Sequence, residues 1–141
     1  MSHYTELKPK FLEKSEAELV ASLKALFGEK SVEVHDESKN LTGYDVDHGG
    51  KVRKAHIIVR KANIRQAAGG SCYNDLGYER DGNGMYKLWA DPSDFPQTAQ
   101  DKIAQNYAER VATKKLKSQG YTLKREVLKD GVVKLVATKY S

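Results

Sequence analysis

Asn74-Asp75-Leu76-Gly77-Tyr78-Glu79-Arg80-Asp81-Gly82-Asn83-Gly84-Met85-Tyr86-Lys87-Leu88-Trp89-Ala90 reads as two strands folded about a turn. Leu76 and Tyr78 alternate with Asp75, Gly77 and Glu79, and Tyr86, Leu88 and Ala90 alternate with Met85, Lys87 and Trp89. A period of two turns one face of each arm towards a core. Between the arms, Asp81-Gly82-Asn83-Gly84 offers residues that tolerate positive φ, so Gly82 or Gly84 is expected to adopt it. Tyr78 and Tyr86 share the phase of the leucines and belong to the core. Trp89, beside Lys87, falls on the other face and is the candidate exposed aromatic. Asp75 and Arg80 are the residues of this segment expected to make polar contacts beyond packing.

Working towards the N-terminus, Ala55-His56-Ile57-Ile58-Val59 is β-branched and nearly all apolar, as an interior strand requires. Gly49-Gly50 marks a loop before it. Ser31 to His35 alternates as a strand, the polar stretch to Leu41 reads as a turn, and a short strand is expected around Tyr44 and Val46. Ser15-Glu16-Ala17-Glu18 has the form of a capping box and opens a helix carrying Leu19, Leu23, Leu26 and Phe27 at helical spacing, with Gly28 as its stop. Residues 4–12 make a first strand that Pro9 confines to an edge.

Working towards the C-terminus, Pro92 and Pro96 close the hairpin, and a longer helix is expected from Thr98 and Asp101 to about Ser118, where Gly120 stops it. Ile103, Ala104, Tyr107, Ala108 and Val111 mark its inner face. Tyr121 to Leu128 and Val132 to Tyr140 form a last hairpin about Asp130-Gly131, and Ala67 to Ser71 is a small-residue break. The sum is one α+β domain spanning residues 1–141: a twisted, mostly antiparallel sheet with two helices packed on one face.

Charge is distributed unevenly. Residues 1–50 carry a net charge of −4 and residues 51–141 a net of +9, for +5 in all. Lys51, Arg53, Lys54, Arg60, Lys61 and Arg65 fall in fifteen consecutive residues without an acid, and Lys114 and Lys117 lie on a basic stripe of the second helix. Such asymmetry attracts anionic partners. Lys51, Arg53, Lys54, Arg60, Lys114 and Lys117 are therefore expected to form one region that meets an acidic protein partner or, alternatively, a nucleic-acid backbone.

Chemistry is harder to find. The chain has no phosphate-loop signature, no G-x-G-x-x-G after a strand, no H-E-x-x-H and no G-x-S-x-G. Asp45, Asp47 and His48 lack a second ligand pair and read as a polar loop rather than a metal site. The single Cys72 reads as a small buried hydrophobe. The expectation is a non-enzymatic interaction or accessory protein without catalytic residues, metal or cofactor. No run approaches the ~20 apolar residues of a membrane span, and the start of the chain has no signal-peptide pattern, so a cytoplasmic location is expected.

Met1-Ser2-His3-Tyr4-Thr5, the Asn74 to Arg80 strand, Gly84-Met85-Tyr86, Ala90-Asp91, Gln105-Asn106-Tyr107-Ala108, Gly120-Tyr121 and Asp130-Gly131 stand in an order that resembles one family. It is the thirty-fifth of the conserved ycf reading frames of plastids and cyanobacteria, a domain of unknown function with relatives in bacteriophages. The resemblance implies no activity and brings no catalytic residues with it; it implies a small accessory regulator.

Overall fold

The computed structural model describes residues 5–68, 72–128 and 133–139 of the 141-residue chain. Five strands, β1 (Thr5–Leu12), β2 (Val32–Asn40), β3 (Lys54–Val59), β4 (Leu76–Arg80) and β5 (Met85–Ala90), form a sheet in the order β1-β5-β4-β3-β2. All four pairings are antiparallel. β2 to β5 run as a meander, and β1 adds to the far side of β5 as an edge strand, where a proline is tolerated.

The hairpin is as its alternation requires: Gly77 pairs with Trp89, Tyr78 with Leu88 and Arg80 with Tyr86. Gly82 and Gly84 both have φ of +82°. The Asp81 carboxylate closes the turn by accepting the N–H groups of Asn83 and Met85.

One sheet face carries the main core. Helices α1 (Glu16–Phe27), α3 (Lys61–Ala68) and α4 (Gln97–Ser118) bring Leu19 and Leu23, Ile64, and Ile103 and Tyr107 against Ile57, Val59, Leu76, Tyr78, Tyr86 and Leu88. The two long helices thus share a face, because each has one apolar stripe and the sheet offers one continuous apolar surface. Phe11 ties β1 into this core, meeting Tyr107 edge to face at 4.8 Å, while the Tyr107 hydroxyl accepts the Leu12 N–H. Leu23 is wholly buried. Leu23→Ala is expected to cost about 2–5 kcal/mol, read from urea unfolding midpoints; an unchanged midpoint would place the residue outside the core.

A smaller core lies on the opposite face. Leu41, Ala55 and Ile58 are buried there, with Val46 and Trp89 packed against them, under the loop that includes α2 (Tyr44–Asp47). Gly77 is required beneath this loop, because a Cβ would lie 2.6 Å from that of Ala55 and 2.7 Å from a Leu41 methyl. Ala55 faces the same way as Ile58, three residues on, so β3 departs from strict alternation near His56. The His56 Nδ1 atom there accepts the Arg80 backbone N–H at 3.1 Å, supplying the acceptor that the irregular ladder lacks.

Several local expectations are corrected. Ser15 makes no side-chain cap; the chain enters α1 through a 3-10 turn, Glu13–Ser15, and Glu18 is instead drawn to Lys114 at 3.2 Å. The polar stretch after His35 is no turn, since β2 runs unbroken to Asn40 with a register shift between Val34 and Lys39. Tyr44 and Val46 stand on a helical turn rather than a strand. The eight-residue α3 is a third helix where none is expected. Ala104 and Ala108 are exposed, because α4 meets the core through Ile103 and Tyr107, with Ala99 and Val111 beside them, and each alanine lies about 100° round the helix from its buried neighbour. The last hairpin, β6 (Tyr121–Val127) and β7 (Val133–Lys139), is a separate two-stranded ladder that β6 leans on α4. The Gly69-Gly70 break, the Asp130-Gly131 turn and the Met1 to Tyr4 start lie outside the described residues.

Candidate functional site

Asn74 and Asp75 precede β4 and are each only 1% exposed, the two most deeply buried polar residues in the hairpin segment. A buried carboxylate needs donors, and Asp75 has four. Its Oδ2 atom accepts the Thr42 N–H and hydroxyl at 2.7 Å each and an Arg60 guanidinium N–H at 2.9 Å. Its Oδ1 atom accepts the Lys61 N–H at 2.9 Å, which caps the start of α3. Asn74 mirrors it: its amide N donates to Asp91 and Asp94, and its Oδ1 atom accepts the Asp45 N–H at 2.9 Å. The backbone N–H groups of Tyr73 and Asn74 both donate to Asp94. One dipeptide therefore fastens the loop before α2, the start of α3 and the turn after β5.

Gly43 makes this approach possible. Its φ is +147°, and a Cβ there would sit 2.4 Å from the Tyr73 carbonyl oxygen. Gly43 and Asn74 form an isolated antiparallel bridge, and the Tyr44 N–H donates to the Tyr73 oxygen at 2.8 Å.

A second polar cluster closes the other end of β4. Arg80 reaches Glu16 at 3.1 Å and Glu13 at 3.5 Å, and the Tyr86 hydroxyl donates to the same Glu16 oxygen at 2.5 Å. Asp75 and Arg80, the two residues marked in the sequence for polar contacts, thus anchor opposite ends of one strand. Burial lowers the His56 pKa, with the neighbouring Arg80 charge acting in the same direction. The Arg60 guanidinium, hydrogen-bonded to Glu33, holds that carboxyl below its ordinary value of 4.5. Both shifts favour the form present at neutral pH. The His56 contribution is complete above about 6.5 and is lost as pH falls through its lower folded value; the Glu33 contribution is complete above about 4.5 and is lost below it. The melting temperature is expected to fall on acidification, and less steeply below pH 4.5 in Glu33→Gln. Parallel acid profiles for the two proteins would remove Glu33 from the account.

The expected basic region separates into two. Arg53 lies over the Trp89 ring, 4.3 Å from its centroid, on the face of the smaller core. Lys51 and Lys54 are exposed nearby in sequence. Lys114 and Lys117 ride on α4, which covers the other face, so the joined patch is not formed. Arg60 is not a free cation either: it is half-buried and bound to Glu33 and Asp75. Trp89 is half-buried rather than exposed, since Arg53 covers its ring and its Nε1–H donates to Glu79 at 3.0 Å.

What the structure does assemble is a cleft of about 770 Å³ between α1, α4 and β6. Arg110, Lys114, Lys117 and Arg125 line it, with Glu18 and Glu109. Lys114 pairs with Glu18, and Arg125 with Glu109. Arg110 hydrogen-bonds Asn106, and neither it nor Lys117 meets a carboxylate among the described residues. The basic run from Arg110 to Lys139 holds this signal, but sequence alone does not show that Arg125 returns to α4 across the turn at Gly120.

Cys72 is 1% exposed, its thiol donates to the Asn74 carbonyl, and burial pushes its pKa up to about 11, all of which suit a packed thiol and not a nucleophile. Among the described residues no group of three His, Cys, Asp or Glu side chains could hold a metal ion, and no helix is long and apolar enough to cross a membrane.

No curated protein matches the chain, and neither does any solved structure. One family model does match, over residues 28–136, well over half of the chain. The match begins at Gly28, after α1, and takes in the Asn74-Asp75 hub and the α4 and β6 walls of the cleft. The chain belongs to the family described as Protein of unknown function (DUF1257).

Proposed function

We propose that this is a non-enzymatic accessory protein that holds an acidic segment of a protein partner in the cleft between α1, α4 and β6. The observation that supports it is the cleft's charge: four cations from two elements against two carboxylates, each already engaged by one of those cations. Arg110 and Lys117 are left to meet an incoming anion. Opposite charge in a concave site steers encounter and fixes register more than it adds affinity. The narrower resemblance to the plastid and cyanobacterial reading frames, with bacteriophage relatives, agrees with a small regulator of this kind, acting in the cytoplasm.

The test is the binding of a fluorescent poly-glutamate peptide, followed by anisotropy across a salt series. Arg110→Glu with Lys117→Glu is expected to weaken binding at least tenfold and flatten its salt dependence, with little change in the melt because exposed charges contribute little to stability. Lys51→Glu with Lys54→Glu, on the other segment, is expected to leave binding nearly unchanged. Equal binding by wild type and the cleft variant would eliminate the cleft; loss only in the Lys51 and Lys54 variant would move the site to that segment.

A further inference from the structure

The Asn74-Asp75 hub holds two loops in fixed contact, and what those loops display is aromatic. Tyr44 is 43% exposed and Tyr73 is 49% exposed. Their rings meet edge to face, with centroids 6.3 Å apart and planes at 68°. His48, also exposed, lies nearly flat on Tyr44, at 3.8 Å and 21°. The Tyr44 carbonyl can only accept, so the His48 Nδ1 atom 2.8 Å from it carries the proton, and that bond sets the plane of the imidazole. Three solvated rings are thus held together by a buried polar network, which rigidifies at a high desolvation cost. Close to half of each tyrosine's surface is nonetheless left open to solvent, where an aromatic face can meet a ligand.

Cations stand beside the rings. The Lys61 ammonium is 3.3 Å from the Thr42 hydroxyl, two residues from Tyr44. The exposed Arg65 donates to the Cys72 carbonyl at 2.6 Å, one residue from Tyr73. Both belong to the acid-free stretch from Lys51 to Arg65. Of the neighbouring acids, Asp94 is occupied by the backbone of Tyr73 and Asn74. Rings at one side and cations at the other match the alternation of base and phosphate along an unpaired strand.

We propose that Tyr44, His48 and Tyr73 form a binding site for single-stranded nucleic acid, the rings stacking on bases while Lys61 and Arg65 meet phosphates. The site is independent of the α1, α4 and β6 cleft: α2 rests on the sheet face that α1 and α4 leave uncovered.

Anisotropy of a labelled single-stranded homothymidine oligonucleotide with the full chain tests this, with the melt of every variant recorded. Tyr44→Ala and Tyr73→Ala are each expected to weaken binding roughly 5- to 100-fold, as the loss of one base stack does. Tyr44→Phe and Tyr73→Phe keep a stacking face and are expected to stay within about twofold of wild type. Lys61→Ala with Arg65→Ala is expected to lower the slope of log affinity against log salt by about 0.7 for each phosphate that is no longer neutralised. For wild type, a strand of abasic sites is expected to bind much more weakly than homothymidine, a comparison that needs no variant. The proposal is overturned by equal affinity for the abasic strand, by an equally tight duplex, by absence of binding at low salt, or by folded alanine variants that bind like wild type. Poly-glutamate competing as well as the oligonucleotide would also overturn it and assign the rings to a protein partner.

Discussion

Asp75→Ala is expected to lower the unfolding free energy by about 3–5 kcal/mol, the cost of removing one partner from a buried, hydrogen-bonded ion pair. The carboxylate is fully buried, and its loss removes the acceptor of the Thr42 and Lys61 N–H groups and leaves Arg60 with Glu33 and the Asn40 carbonyl. For a domain whose whole stability is of order 5–15 kcal/mol, that is a large fraction. Asp75→Asn keeps the volume and one acceptor oxygen, so an intermediate loss is expected. Urea midpoints for the three proteins check this. A loss below about 1 kcal/mol for the alanine variant would mean that the loops are held by apolar packing and the hub is incidental.

Gly43→Ala is the second large effect. Two penalties coincide there: a backbone conformation that side chains rarely adopt, and a Cβ placed 2.4 Å from a carbonyl oxygen and 2.6 Å from the Asn74 Cα. Both neighbours are backbone, so no rotamer change relieves the contact. Strain and overpacking at about 1–3 kcal/mol each give an expected loss of about 2–5 kcal/mol. Gly49→Ala has a positive φ but open space around the Cβ, so it isolates the conformational part and is expected to cost less. Equal losses at the two positions would show that the close approach of the loops contributes nothing.

These two positions also mark where the sequence stops being legible. The β4–β5 hairpin, β3, α1 and α4 are readable because alternation, helical spacing and turn glycines are local signals. α3 is not, since Ile64 is the one buried apolar residue among those described there and its cap comes from Asp75, fourteen residues away. The second half of β2 hides for a different reason: an edge strand needs no apolar run, and His35 to Lys39 is polar throughout. Alternation puts Trp89 on the correct side of its strand, but the loop that half-covers that side arrives from residues 41–53, and no spacing rule encodes it. The candidate site is partly readable. Asp75 and Arg80 stand out as charges at the two ends of a strand with a buried face, and the helix cations stand out by number. Tyr44 and Tyr73 lie 29 residues apart in sequence, and contacts no spacing rule encodes, the Gly43 to Asn74 bridge and the Asn74-Asp75 hub, bring them together.

The strand order bears on how the chain is made. Thr5 pairs with Ala90, so β1, once it has left the ribosome, has to wait for about 85 further residues before the β5 strand it pairs with exists. At a synthesis rate of roughly 5–20 residues per second, that wait lasts about 4–17 s. The meander from β2 to β5 needs no such delay, because each strand pairs with the one made just before it. The nascent sheet therefore grows with its β5 margin open, and a segment already synthesised must return to close it; until then that margin, like the β2 edge, is a place where another nascent chain can pair instead.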